Sequence, residues 1–213
     1  MKPVVAIDGP AGSGKGTLAR MIASHFNFVY LDTGLLYRTV AFLNVPLVKI
    51  KTTGIKELMD IASTLTDKQL RSAENSARAS NIAKMPEIRD IMTHLQQNFI
   101  DLYKKQGTVL DGRDIGTVVA PDACCKLFIT ADLKERARRR FADLKDKNTT
   151  FDEIFNNIKL RDIQDKSRKI APLTCDETYI MIDTTDLSVQ ESFKICREEV
   201  KKAFMNSEFR SFV

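Results

Sequence analysis

Val4-Val5-Ala6-Ile7 is an unbroken run of β-branched and small apolar residues that ends at Asp8-Gly9-Pro10. Without polar alternation, it reads as a strand covered on both faces of a parallel sheet. From Lys15 the period changes: Leu18, Ile22 and Phe26 recur at every fourth position and predict a helix up to Asn27. Phe28–Leu31 reads as a second strand, and a helix from Thr33 carries Leu36, Val40 and Leu43. Further strands are expected at Thr108–Asp111, Lys126–Thr130 and Thr178–Asp183. Alternating strands and helices build parallel sheets through crossover connections. The expected fold is α/β, a five-stranded parallel sheet flanked by helices.

Two stretches leave this rhythm. From Asn44 to Ser80 there is no convincing strand, Pro46 and Gly54 interrupt it, and Ile55, Leu58, Met59 and Ala62 suggest one amphipathic helix. A longer helix follows Pro86, with Ile88, Ile91, Met92, Leu95 and Phe99 as its buried stripe. The second stretch, Asp132 to Arg168, is highly charged and reads as two helices. The last helix runs from Ser188 to Phe204, with Ser188 and Glu191 spaced as a capping box. The expectation is a single domain over 1–213 with two outlying segments, 39–106 and 132–169.

A chain of 213 residues, 43% hydrophobic and 29% charged, has enough apolar surface for one full core, which argues against a disordered or fibrous protein. Its net charge of +5 suits phosphate-bearing ligands. The absence of Trp disfavours a broad base-stacking platform. Cys124, Cys125, Cys175 and Cys196 show no CxxC spacing, and with only His25 and His94 a zinc site is not expected. Reduced thiols, a leading apolar run too short for a signal peptide and no stretch near the roughly 20 apolar residues of a bilayer span point to a cytoplasmic protein without a membrane partner.

The candidate chemistry begins at the joint between the first strand and the first helix. Gly9-Pro10-Ala11-Gly12-Ser13-Gly14-Lys15-Gly16-Thr17 has the Gly-x4-Gly-Lys spacing of a phosphate-binding loop. The glycines let successive N–H groups point into one cavity, the helix N-terminus adds positive charge, and Lys15 supplies a full charge for terminal phosphates. The residue after the lysine is Gly16, and the hydroxyl comes one place later, at Thr17. A Mg²⁺ ion accompanying a triphosphate is therefore expected to rest mainly on phosphate oxygens and water.

Thr33 opens the helix after the second strand, and Arg38 lies about one and a half turns in. Asp111-Gly112-Arg113-Asp114 ends another strand, so it falls on the same edge, where open α/β sheets bind ligands. Asp111 is a candidate to orient the Mg²⁺ water shell, with Arg113 and Asp114 facing the ligand. Arg161, Asp165 and Arg168 are spaced to share one helical face, stopped at Ala171-Pro172, and Arg136, Arg139 and Arg140 share another. Lys134 and Arg138 read equally well as a solvated face. For the aligned arginines, planar forks suit spread phosphoryl charge, and a mobile arm over the phosphates is expected.

Taken in order, residues 8–17, Leu31–Arg38, Asp111–Val119 and Arg161–Leu173 resemble bacterial cytidylate kinase. The resemblance implies transfer of the γ-phosphoryl group of ATP to CMP or dCMP, with Mg²⁺, and a P-loop nucleoside monophosphate kinase fold. It makes 39–106 the acceptor-binding segment and 132–169 a mobile lid. Thr33 and Arg38 would contact the monophosphate. Ser80, Arg89 and Asp114 would read the cytosine, Asp114 accepting from its amino group. Arg113 would bind phosphate, Arg161 and Asp165 the sugar, and Arg168 the acceptor phosphate. Lys15, Arg113, Arg136, Arg140 and Arg168 are the expected catalytic groups, and Arg139 joins the loop on the donor side. Between Arg38 and Ser80 this chain is shorter than the family's usual pattern and reads as helical, so a shortened acceptor segment is expected.

Other classes fit less well. A GTP-dependent switch would carry an Asn/Thr-Lys-x-Asp element, which is missing. An RNA-binding role for 134–140, with five basic residues against one acid, lacks interleaved aromatics and is flanked by Asp132, Asp143 and Asp146. A monomer acting on small nucleotides, with no nucleic-acid partner, is expected; other monophosphate kinases are the nearest rivals.

Overall fold

The computed structural model describes residues 3–44, 46–143 and 149–212. The sheet has five strands in the order β2-β3-β1-β4-β5, where β1 is Val4–Asp8, β2 Val29–Asp32, β3 Thr108–Gly112, β4 Cys125–Thr130 and β5 Ile180–Asp183. Every pairing is parallel. The first strand separates two cores. Val4 and Ala6 pack on one side with Leu31, Leu36, Met92 and Phe99. Val5 and Ile7 pack on the other with Leu18, Ile22, Cys196 and Phe204. Side chains alternate across a strand, so burial on both faces demands the continuous apolar run that β1 shows.

Helix α1, Lys15–Phe26, and the C-terminal helix α10, Val189–Met205, cover the second face. The Ser188–Glu191 capping box is present. Helix α2, Thr33–Leu43, and helix α7, Pro86–Leu102, cover the first. Between them the chain is helical, as expected, but broken into four pieces: α3 (Leu47–Thr52), α4 (Ile55–Thr64), α5 (Asp67–Arg71) and α6 (Ala73–Ile82). Pro46 and Gly54 precede α3 and α4 without a side-chain cap, whereas α5 and α6 begin at caps. Thr66 caps α5 in a reciprocal box with Gln69, and Ser72 caps α6 on the Asn75 amide at 3.2 Å. Helices α8 (Leu133–Asp143) and α9 (Phe151–Lys166) form the charged stretch; 144–148 of the expected lid lie outside the described residues.

Two expected boundaries move by more than one residue. The fifth strand begins at Ile180, because Tyr179 turns its hydroxyl onto Asp8 Oδ2 at 2.7 Å. Helix α9 stops at Lys166, five residues before Ala171, so Arg168 lies beyond it. In a continuing helix the Asp165 carbonyl would take the amide four residues on. Here it accepts from Leu173 N at 2.8 Å, and Ala171 adopts a left-handed φ of 48°.

Candidate active site

The register of the sheet brings the chemistry to one edge. Asp8 lies level with Gly112, and Asp32 with Asp111, all at carboxyl ends of strands. The loop between β1 and α1 turns at Gly12 and Gly14, whose φ values are 76° and 84°. At Gly9 the constraint is space: a Cβ there would sit 2.0 Å from the Ile129 carbonyl oxygen of β4. Backbone cannot yield by that much, so Gly9→Ala is expected to cost about 3 kcal/mol, the upper end for overpacking, seen as a fall of roughly 6–12 °C in Tm.

Lys15 is buried, and its Nζ lies 3.3 Å from the Pro10 carbonyl oxygen. Burial, with Arg113 and Arg161 nearby, lowers its ammonium to about 7. Asp111 is raised to about 6, chiefly by burial and by Asp32. Its Oδ1 accepts from Tyr30 at 2.7 Å, and its carbonyl accepts from Thr33 Oγ1 at 2.8 Å. Asp111 Oδ2 lies 3.3 Å from where a Cβ on Gly16 would be, so the missing side chain leaves room between loop and carboxylate. Among the described residues no cluster of three His, Cys, Asp or Glu could hold a metal by itself. A carboxylate facing a phosphate loop across a glycine gap does fit a Mg²⁺ ion carried mainly by phosphate and water.

Opposite the loop, arginines from three segments crowd together. Arg113 Nε donates to Asp165 Oδ2 at 2.7 Å, and Arg168 donates to Asp165 Oδ1. Burial raises the Asp165 carboxyl, but Arg113, Arg168 and Arg161 outweigh it and hold the group below its ordinary value. Burial and Arg113 lower Arg161 to about 10. The Nε atoms of Arg38, Arg161 and Arg168 are buried without a hydrogen-bond partner, as is Ser13 Oγ in the loop. Buried donors in native structures are paired, so idle guanidinium N–H groups mark a place where an anion belongs.

Arg89 is buried, donates to Asp114, and bonds the Ala83 carbonyl at 3.1 Å. Ser80 Oγ donates to Gln164 Oε1 at 3.2 Å, joining α6 to α9. The pieces expected to read the base thus lie along the acceptor segment and the end of β3.

The expected free arm of lid arginines is only partly met. Arg136 spends Nε on Ala131 O (2.8 Å), Nη1 on Ala11 O (2.9 Å) and Nη2 on Asp162 (2.7 Å), so it ties the phosphate loop to α8 and α9. Its carbonyl partners are fixed in the fold, which leaves no guanidinium nitrogen to swing. Arg139 bonds Glu135 at 2.8 Å and Thr184 Oγ1 at 3.0 Å, beside Gly14. Arg140 is half-buried, with no ion pair among the described residues. Arg138 is exposed and paired with Glu135 at 2.7 Å, the solvated-face reading.

Sequence reasoning missed Tyr30, Tyr179, Asp162 and Arg71. Asp8, noticed only as the start of the loop, also accepts from Ile115 N (3.0 Å) and Gly116 N (2.9 Å), pinning the π-helical turn Ile115–Val119. Gly116 is where the turn and Tyr179 meet: a Cβ there would sit 2.6 Å from the Tyr179 hydroxyl.

A parallel sheet with a Gly-x4-Gly-Lys loop after its first strand, and a cluster of buried arginines near that loop's lysine, is the frame of a P-loop nucleoside monophosphate kinase. The sequence model of the family "Cytidylate kinase" matches residues 5–202, and the chain belongs to that family. It is 41% identical over 203 residues to a cytidylate kinase of Cereibacter sphaeroides, covering 94% of this chain and 96% of the relative. It is 46% identical over 204 residues to a cytidylate kinase of Bartonella tribocorum, covering 92% and 93%. Among solved structures, shikimate kinase from Bacteroides thetaiotaomicron has the same fold at 13% identity and TM-score 0.52, over 95% of this chain and 98% of that one. An uncharacterized protein from Eubacterium ventriosum matches at 14% identity and TM-score 0.58, over 93% and 98%.

Proposed function

We propose that this kinase moves the γ-phosphoryl group of ATP onto CMP or dCMP, giving ADP and the nucleoside diphosphate. The carrying observation is the set of buried, unpartnered guanidinium N–H groups of Arg38, Arg161 and Arg168, supplied by two separate segments. The loop 9–17 and Lys15 hold the donor phosphates, with Arg139 and Arg140 on the donor side. Thr33, Arg38 and Arg113 take the acceptor phosphate, Arg161 and Asp165 the sugar, and Ser80, Arg89 and Asp114 the base. Arg168 reaches the phosphoryl group in transit. Arg136 acts by bracing the loop against the lid.

No covalent intermediate is needed. Transfer requires in-line placement of two nucleotides and neutralisation of the moving charge, which Lys15 and the arginines supply. When bound, Mg²⁺ would lie on the donor phosphates, with Asp111 facing its water shell, and would neutralise their charge. Segments 39–106 and 132–169 close over the nucleotides as acceptor segment and lid, excluding water as a competing acceptor. No disulfide joins the four cysteines, no described helix is long and apolar enough to cross a membrane, and we read the enzyme as cytoplasmic. We read it as a monomer whose partners are small nucleotides.

Asp114 links the site to pH. Burial raises it most, Arg89 opposes that, and its carboxyl stands at about 6. Below that pH it holds a proton and loses acceptor capacity, so CMP binding in the absence of ATP is expected to weaken as pH drops through 6, whereas protonation of Asp111, also at about 6, is felt on the donor side. Asp114→Asn should remove that inflection, as read from calorimetric titrations of CMP alone across pH. The function itself is tested by ADP release with CMP, dCMP, UMP and AMP as acceptors. Turnover with the cytidine nucleotides is expected; equal turnover with AMP, or ADP release without an acceptor, would contradict it.

A further inference from the structure

Asp32 stands where β2 ends and α2 begins, and its two carboxylate oxygens have different partners. Oδ1 accepts the Leu35 amide at 2.9 Å and caps α2. Oδ2 is shared by two guanidinium groups: Arg71 Nη2 at 3.0 Å and Arg38 Nη2 at 3.5 Å. Arg38 belongs to α2 itself. Arg71 comes from α5 and is steadied by Asp67, which accepts from its Nε at 3.2 Å. The neighbouring Asn75 ties α6 to the same spot, donating from Nδ2 to the Arg38 carbonyl at 2.9 Å. Segments α5 and α6 therefore control both the backbone of Arg38 and its counter-charge.

A single oxygen satisfies the nearer of two cations best. With Arg71 in place, Arg38 keeps only a long contact to Asp32 and a buried Nε with no partner. Without Arg71, the Asp32 carboxylate has one guanidinium left to pair with, and a planar fork closes readily onto a carboxylate. We propose that Arg71 is a positioning residue for the acceptor nucleotide: by occupying Asp32 it releases Arg38 toward the acceptor's phosphate. Docking of α5 thereby readies the anion site, and a residue remote from the transferred group sets acceptor affinity. The proposal rests on the reading of Arg38 as a phosphate-binding group in CMP phosphorylation.

The test is calorimetric titration of CMP into the full-length enzyme, paired with steady-state kinetics. Arg71→Ala is expected to weaken CMP about tenfold in Kd and KM while the KM for ATP stays put. Asp32→Asn retains a capping oxygen for the Leu35 amide but removes the charge. The double variant Arg71→Ala/Asp32→Asn is therefore expected to regain CMP affinity to within about threefold of the wild type. Lys68→Ala, at an exposed neighbour on α5, should change nothing. Damage to the packing of α5 would not be repaired by removing a charge from another element, so the rescue separates positioning from mere structure. Unchanged CMP affinity in Arg71→Ala would overturn the proposal, and so would a double variant as weak as the single one. Absence of CMP binding to the wild-type protein would overturn the functional reading itself, and the proposal with it, before any variant is compared.

Discussion

Replacing Arg168 by alanine is expected to lower kcat with CMP roughly a thousandfold while leaving the KM for ATP within about threefold. Arg168 lies past the end of α9, on the bend that returns the chain to Leu173, and one of its terminal nitrogens is held by Asp165. Its Nε is buried and idle. A guanidinium anchored at one corner and unsatisfied at another is preorganised for an oxyanion arriving on its open side. Charge spread over the equatorial oxygens of a moving phosphoryl group fits that open side. An ammonium offers a point charge without the fork, so Arg168→Lys should recover only a small part of the rate. Single-turnover rates and equilibrium ATP binding together would check this. A loss shared equally between ATP binding and turnover would place Arg168 on the donor instead.

The second large effect is expected at Asp165, which has no exposed surface and stands between Arg113 and Arg168. Asp165→Asn keeps the shape but strips the negative charge from a cluster that also holds Arg161 and Lys15. Removing one member of a buried ion pair costs about 3 kcal/mol or more, because the remaining charges are stranded. For a chain of this size that is roughly 6–12 °C in Tm. The sign with pH follows from the shift. Burial raises the carboxyl, but Arg113 and its neighbours lower it by more, so it lies below its ordinary value. Its contribution is thus complete above about pH 4 and disappears as pH falls through the folded value. The wild type and Asp165→Asn should therefore differ in Tm at neutral pH and converge in acid. Inorganic phosphate, by supplying a counter-anion, should restore part of the lost Tm, and thermal melts with and without it test this directly.

Much of this architecture was legible in the sequence, and for identifiable reasons. The run at Val4–Ile7, the four-residue period after Lys15 and the Ser188–Glu191 cap are local signals, and each element formed where they point. The phosphate loop was readable because its glycines answer to backbone geometry. What the sequence concealed depends on distant partners. Nothing near Tyr179 announces a bond to Asp8, 171 residues away, and nothing near Arg136 announces that Ala11, 125 residues away, will take its guanidinium. Helix α9 ends earlier than the spacing predicts because Leu173 captures the Asp165 carbonyl, a contact across a bend that helical spacing cannot register. Residues 66–82 divide into two short helices because Thr66 and Ser72 act as caps, a local signal that the sequence carries.

The central claim is that guanidinium groups from separate segments meet Lys15 around one pocket that holds donor and acceptor together. A crystal structure with CMP and a non-hydrolysable ATP analogue tests it most directly. The account predicts the acceptor phosphate within hydrogen-bond distance of Arg38 Nε and Arg168 Nε, and Lys15 Nζ on the donor's terminal phosphates. Nucleotides bound on unrelated faces, with these three side chains turned away from both, would contradict it.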